Sequence, residues 1–169
     1  PEDSIVLGEN QGRTLITNQL NLERAALGNL AALKSLFDKT LDWAKTTPLD
    51  DGRVIDQPWV QQALARVEAQ VAAYTLMNLR VNASMSSSAL GMGEASAAKV
   101  FGTELTQVVA RELLEVLGQD GSRAGSAAPL RGDIERAYRL AVVNTLAGVA
   151  IESQRDIVSM ACLGMPRGP

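Results

Sequence analysis

Apolar positions recur with a period near 3.6 through most of the chain. The first run carries Leu15, Ile16, Leu20, Leu22, Ala26, Leu27, Leu30, Leu33, Leu36, Phe37, Leu41 and Ala44, a broad stripe that predicts one long helix opening at Gly12. Pro48 and the Asp50-Asp51-Gly52 cluster end it. A second helix is expected from Asp56, placed as an N-cap ahead of Gln57 and Pro58. Along it Val60, Leu64, Val67, Val71, Tyr74, Met77 or Asn78, and Val81 alternate steps of three and four, the spacing of a bundle seam.

The Ser- and Gly-rich stretch from Ser84 to Gly93 reads as a corner, and Gln119 to Pro129 as a flexible loop. Between them Ala97, Val100, Phe101, Leu105, Val108, Val109, Leu113, Val116 and Leu117 predict a third helix that stops at Gly118. A fourth is expected over about Gly132 to Leu146. A last helix follows Gly148, marked by Ile151, Ile157, Val158, Ala161 and Cys162, with Gly164 and Pro166 as its stop signals. At ~1.5 Å per residue, helices of about 25 residues give a bundle roughly 40 Å long. The connections are short enough for antiparallel neighbours. The expected fold is therefore all-α, an antiparallel up-down four-helix bundle plus a short C-terminal helix.

Composition agrees with this picture. Of 169 residues 46% are apolar but only 4% aromatic, so the core must be built from Leu, Val and Ala. The net charge is −3, histidine is absent and no basic cluster occurs, which argues against a nucleic-acid partner. Cys162 is the single cysteine, so no disulfide can form within the chain, as suits a reducing cytoplasm; it is expected to be a small core residue. No apolar run reaches membrane length and no charged-then-apolar leader precedes the first helix. A soluble cytoplasmic protein with no membrane partner and no metal site is expected. The chain opens at Pro1 rather than Met, and its early Ile5-Val6-Leu7 run is an orphan β-like segment, as in a processed or trimmed product.

In the last helix and its approach, Gly148, Glu152, Gln154, Arg155 and Ile157 stand in one ungapped stretch, followed by Leu163, Gly164, Pro166 and Arg167. This stretch resembles the C-terminal signature of the acyl-CoA dehydrogenase family, commonly Gly-Gly-Thr-Ser-Glu-Ile-Gln-Arg-Asn-Ile followed downstream by Leu-Gly-Leu-Pro-Arg. Val149, Ala150 and Ile151 depart from it. Upstream, Gly8-Glu9-Asn10-Gln11-Gly12 resembles the family's entry to its first bundle helix, and Asn21-Leu22-Glu23-Arg24 its Asn-x-Glu-Arg segment. Ala95 to Lys99, Leu114 to Gly118, and Tyr138-Arg139 resemble one subgroup. The resemblance implies that residues 1–9 are the end of a missing middle β domain and residues 10–169 the C-terminal helical bundle.

It also implies a chemistry. In such enzymes a carboxylate removes the α-proton of an acyl-CoA thioester while hydride leaves Cβ for the flavin of FAD. The family places its base at one of two positions. One is Gly148 here, which has no side chain to offer; the other is Glu23, the candidate catalytic residue. Spacing alone makes Glu23 an ordinary exposed helix carboxylate. Gln154 and Arg155 are the candidate cofactor-binding residues, or else a cap and an ion pair at the bundle surface. Trp43 and Trp59 are expected to pack rather than clamp a cofactor. Thr46 to Gly52 lacks the family's Arg-x-x-Phe-Gly, Leu117 to Gly121 stands where Gln-x-x-Gly-Gly is common, and Ala150 lacks a hydroxyl.

Two functions follow as expectations. One is a subunit, or C-terminal portion, of an FAD-dependent acyl-CoA dehydrogenase that introduces an α,β double bond into an acyl-CoA, a steroid side-chain thioester among the candidates. The other is an architectural subunit supporting a catalytic partner. Both imply acyl-CoA dehydrogenase subunits as partners, in a homo- or hetero-oligomer, with a tetramer expected. Apolar residues on more than one face of the first helix, Leu22, Leu33 and Leu36 beside Ala26, Leu30 and Phe37, point the same way.

Overall fold

Helices make up nearly all the regular structure of the computed structural model, which describes residues 8, 10–16, 19–20, 29–86, 91–147 and 149–166. Residues 12–16 are helical. The Ile5–Leu7 run and the part of the first helix at residues 21–28 lie outside the described residues. Helix α1 spans Leu30–Thr46 and ends in a minimal hairpin, β1 (Pro48–Leu49) against β2 (Gly52–Arg53), with Pro48 opposite Arg53. Helix α2 (Pro58–Ser86), α3 (Met92–Leu117), α4 (Asp133–Val143) and α5 (Ile151–Leu163) follow.

Ion pairs along the helices report their directions. Arg80 near the end of α2 meets Glu94 at the start of α3 at 3.1 Å, and Arg66 earlier in α2 meets Glu112 late in α3 at 3.2 Å. Those two helices therefore run antiparallel. Lys99 near the start of α3 reaches Asn144, just past the end of α4. Arg155 at the start of α5 pairs with Glu104 midway along α3, while Cys162 near its end abuts Gly93 at the start of α3. So α4 and α5 also run against α3. The predicted all-α bundle with a short final helix is the observed fold.

The α2 seam is buried as its spacing predicts: Val60, Leu64, Val67, Val71, Tyr74 and Val81 all face inward. All of these but Val81 cluster with Leu33 of α1, Leu105, Val109, Leu113 and Val116 of α3, and Ile134 of α4. Helix α3 touches all four other labelled helices. It can do so because Gly93, Ala95, Ser96, Ala98, Gly102 and Ala110 present little or no side chain at the crossings.

Several expectations change. The Ser84–Gly93 corner is shorter than predicted: α2 continues to Ser86 and α3 opens at Met92. Gly93 lies inside α3, where an added Cβ would run into Cys162 and come within 3.1 Å of the Ala161 Cβ. That glycine serves a close helix crossing, not a turn. Asp56 does not cap α2; its carboxylate accepts from the Arg53 backbone N–H at 2.9 Å and from the Arg53 guanidinium. The Gln119–Pro129 loop is partly packed, since Gly121 is buried, with 2.7 Å between its ideal Cβ position and the Leu114 carbonyl oxygen. Cys162 is exposed rather than a core residue, because α5 turns it to the edge of its contact with α3. Trp43 packs against the core, whereas Trp59 is half exposed.

The surplus apolar surface also lies elsewhere. Leu33 is buried, Leu30, Leu36 and Phe37 are partly buried against the core, and Leu22 and Ala26 fall outside the described residues. Exposed apolar side chains gather instead at Leu76 and Leu79 of α2, along Leu140, Val142, Val143 and Leu146 at the end of α4, and at Leu163 and Met165.

Candidate functional site

The signature stretch is reached through a turn built from the end of α4. Thr145 Oγ1 donates to the Val142 carbonyl at 2.7 Å, and the Ile151 N–H returns to the Thr145 carbonyl at 3.1 Å. Between them Val149 sits at φ +95°, a conformation that a β-branched side chain rarely adopts. Such strain persists only where the surroundings hold it. Helix α5 then starts with Ala150 as its N-cap, a residue whose side chain has no acceptor for the first free N–H groups.

Gln154 and Arg155, one residue apart and so about 100° apart around the helix, take opposite roles. Gln154 is fully buried, and neither its amide nitrogen nor its amide oxygen has a hydrogen-bond partner. Ser96 Oγ, on the small-residue face of α3, is likewise buried without a partner. Arg155 points outward and pairs with Glu104 of α3. At the other end of α5, Gly164 adopts the left-handed conformation and the Met165 N–H closes on the Ser159 carbonyl at 3.1 Å, the glycine stop that the sequence predicts.

The turn is pinned from α3 by Lys99. This lysine is buried, and its ammonium donates to the Asn144 carbonyl at 3.1 Å, at the negative end of the α4 dipole. Burial lowers its pKa from the ordinary lysine value. Glu23 and Gly148 lie outside the described residues. No cluster of acidic or cysteine side chains among the described residues assembles a metal site.

The described residues do not by themselves fit a flavin cradle. Val149, Ala150 and Ile151 carry no hydroxyl or charge, Gln154 is sealed within the bundle, and Arg155 is already engaged by Glu104.

Comparison with known proteins identifies the family. The model of the acyl-CoA dehydrogenase C-terminal domain matches residues 10–163. The chain belongs to the acyl-CoA dehydrogenase family. It is 42% identical over 165 residues to acyl-CoA dehydrogenase FadE26 of Mycobacterium tuberculosis, covering 94% of this chain and 41% of that protein. Acyl-CoA dehydrogenase FadE29 of the same organism is 32% identical, covering 100% of this chain and 43% of the relative. Among solved structures, the ChsE4-ChsE5 complex from M. tuberculosis superposes with a TM-score of 0.85 at 41% identity, over 95% of this chain and 42% of that one. The Tcur3481-Tcur3483 steroid ACAD gives 0.83 at 38% identity, over 94% and 41%. The chain thus spans about two fifths of the length of the curated relatives it matches.

In this acyl-CoA dehydrogenase domain, sequence reasoning found the stretch that carries Gln154 and Arg155 but not what surrounds them. Lys99 appeared only as the end of a short matching segment. Its flanks offer a signal, because Ala97, Ala98, Val100 and Phe101 form an apolar run in which one charge is unusual. The strain at Val149 has no sequence signal.

Proposed function

We propose that this chain is a subunit, or the C-terminal portion of a subunit, of an FAD-dependent acyl-CoA dehydrogenase assembly that introduces an α,β double bond into an acyl-CoA thioester. The observation that carries this is the 42% identity to FadE26 across 94% of the chain. A steroid side-chain thioester is the favoured substrate class, since a 38% identical neighbour is a steroid ACAD. Residues 10–169 form the helical bundle, and residues 1–9 are the end of a middle β domain.

The base is assigned to Glu23. Of the two positions at which the family resemblance places a base, Gly148 has no side chain to accept a proton, which leaves Glu23 of the first bundle helix to remove the α-proton. Of the two signature side chains, only Arg155 is exposed enough to reach FAD, which the whole assembly binds; Gln154, sealed within the bundle, is not. Arg155 can exchange Glu104 for another anion at small cost, because both side chains of that pair are about half exposed and such pairs contribute only about 0–1 kcal/mol.

Related subunits are the proposed partners, in a tetramer. The exposed rows at Leu76 and Leu79, and at Leu140, Val143 and Leu146, support the reading, as does a solved relative that is a two-component complex. No helix among the described residues is long and apolar enough to cross a membrane, and a cytoplasmic site of action is proposed.

A second reading is an architectural subunit whose own flavin site has lapsed. The missing hydroxyls at Val149 to Ile151 and the Arg155–Glu104 pair favour it. The test is to add acyl-CoA anaerobically to the intact, full-length assembly and follow flavin reduction and enoyl-CoA formation. Both should occur together. Tightly bound flavin that no acyl-CoA reduces would defeat the catalytic proposal.

A further inference from the structure

A small cavity lies where α2, α3, the approach to α1 and the end of α4 meet. It measures about 50 Å³ and is lined by Asn29, Tyr74, Lys99, Gly102, Thr103, Asn144 and Ala147. One water needs roughly 10–15 Å³ on this measure, so the space holds a few small polar atoms and no more. Its functional groups are rich in donors, although the amide and hydroxyl oxygens can also accept. Lys99 is 7% exposed, Tyr74 3% and Thr103 5%, and each can present an N–H or O–H donor. Asn29 and Asn144 add amide donors at the rim. No carboxylate is among these lining residues.

The ammonium of Lys99 gives this arrangement its meaning. Its one hydrogen bond goes to the Asn144 carbonyl, which leaves two of its three N–H donors without a partner among the described residues. Among the described residues no salt bridge reaches it. Glu94 and Glu104, acidic neighbours on the same helix, are engaged by Arg80 and Arg155 instead. The end of α4 supplies about half a negative charge, which stabilises the ammonium but does not balance it. Buried charges are normally paired, and water alone offers dipoles without a countercharge. Burial raises the pKa of Tyr74, which keeps its hydroxyl a donor. Gly102 keeps the wall open, since a Cβ there would run into the Tyr74 ring.

We propose that this cavity is a binding site for one small monovalent anion, a halide or a formate-sized carboxylate, held by Lys99, Tyr74 and Thr103. Its size excludes a sulfate with its hydration or any phosphate ester. The bound anion would join α2 and α3 to the turn that leads into α5. It would thereby couple ion binding to the stability of the signature stretch, independently of any flavin or acyl-CoA.

The experiment uses the full-length protein in its native assembly. Thermal unfolding is followed while bromide or formate replaces a bulky organic anion at constant ionic strength, and crystals grown with bromide are examined by anomalous scattering. The unfolding midpoint should rise with the logarithm of anion concentration above the dissociation constant, as for a ligand that binds only the folded state. The anomalous peak should lie beside Lys99 Nζ. Lys99→Met should abolish the response. Because that variant could fail to fold, Thr103→Val and Tyr74→Phe provide the second arm. Each should displace the rise to roughly tenfold higher concentration, as expected for one lost hydrogen bond to an ion. A midpoint indifferent to which anion is present overturns the proposal, as does an unchanged response in both hydroxyl variants. A bromide peak with flat melting curves would mean an adventitious ion only, and overturns it too.

Discussion

Replacing Gly102 by alanine tests how closely α2 and α3 cross. Tyr74 is 3% exposed and its ring centroid stands 5.8 Å from that of Phe101, so the tyrosine can retreat only into the small cavity that it helps to line. An alanine Cβ at position 102 would overlap the Tyr74 hydroxyl and lie 2.9 Å from its Cε2. Two effects oppose each other. Removing a helix-interior glycine stabilises by about 0.5–1 kcal/mol, while overpacking a filled core costs about 1–3 kcal/mol. The clash wins, because the obstructing atoms belong to a rigid ring held by its own neighbours. A net loss of about 0.5–2 kcal/mol is expected, which for a domain of this size lowers the melting temperature by roughly 1–8 °C. Calorimetry on the intact protein measures it, with Gly12→Ala as control, since a Cβ at Gly12 meets nothing within 4 Å. Adding Tyr74→Leu to Gly102→Ala should cost less than the two single changes predict together. If Gly102→Ala were as stable as the parent, the close crossing derived from Tyr74 would be wrong.

Asp133 joins α4 to α1, with Lys39 Nζ at 2.8 Å and Arg136 at 2.6 Å. The Lys39 hydrogen bond is the main reason its carboxyl titrates below the ordinary aspartate value. Its contribution is therefore fully present at neutral pH and fades as pH falls through that depressed value. Asp133→Asn should cost about 1 kcal/mol or less at neutral pH, since Lys39 is half exposed, and the difference from the parent should vanish in acid; urea midpoints across pH measure it. Val143→Glu with Leu146→Glu places charge on an exposed apolar row and should shift the assembly toward smaller species in sedimentation, with helix content unchanged. Unaltered sedimentation would remove that row from the subunit contacts.

Helix periodicity was the most legible layer of this chain. The α2 seam from Val60 to Val81 was legible because its Val, Leu and Tyr positions face the core while, Ala63 apart, the positions between them are exposed or half-buried. Helix α3 was harder. Its buried positions include Ser96, Lys99, Thr103 and Thr106 as well as glycines, since it is surrounded by four helices and has little solvent face. An apolar count misses such positions. Glycine carried two opposite meanings: Gly164 ends a helix in the left-handed conformation, while Gly93 and Gly102 sit within one to let a neighbour approach. Nothing local in the sequence separates those uses. The candidate site divides in the same way. Gln154 and Arg155 were legible as a pair through the family's pattern, but that one is sealed and the other tied to Glu104 depends on how α5 is rotated against α3.

The proposed function rests most directly on Glu23. Glu23→Gln keeps the side chain's shape and removes its ability to accept a proton. The measurement is the rate at which acyl-CoA reduces the flavin of the intact assembly without oxygen, variant against parent. A fall of about 10²-fold or more is expected, with flavin content and helix content unchanged. Reduction at the parental rate would contradict the account, take Glu23 out of the chemistry, and leave this chain a scaffold for a catalytic partner.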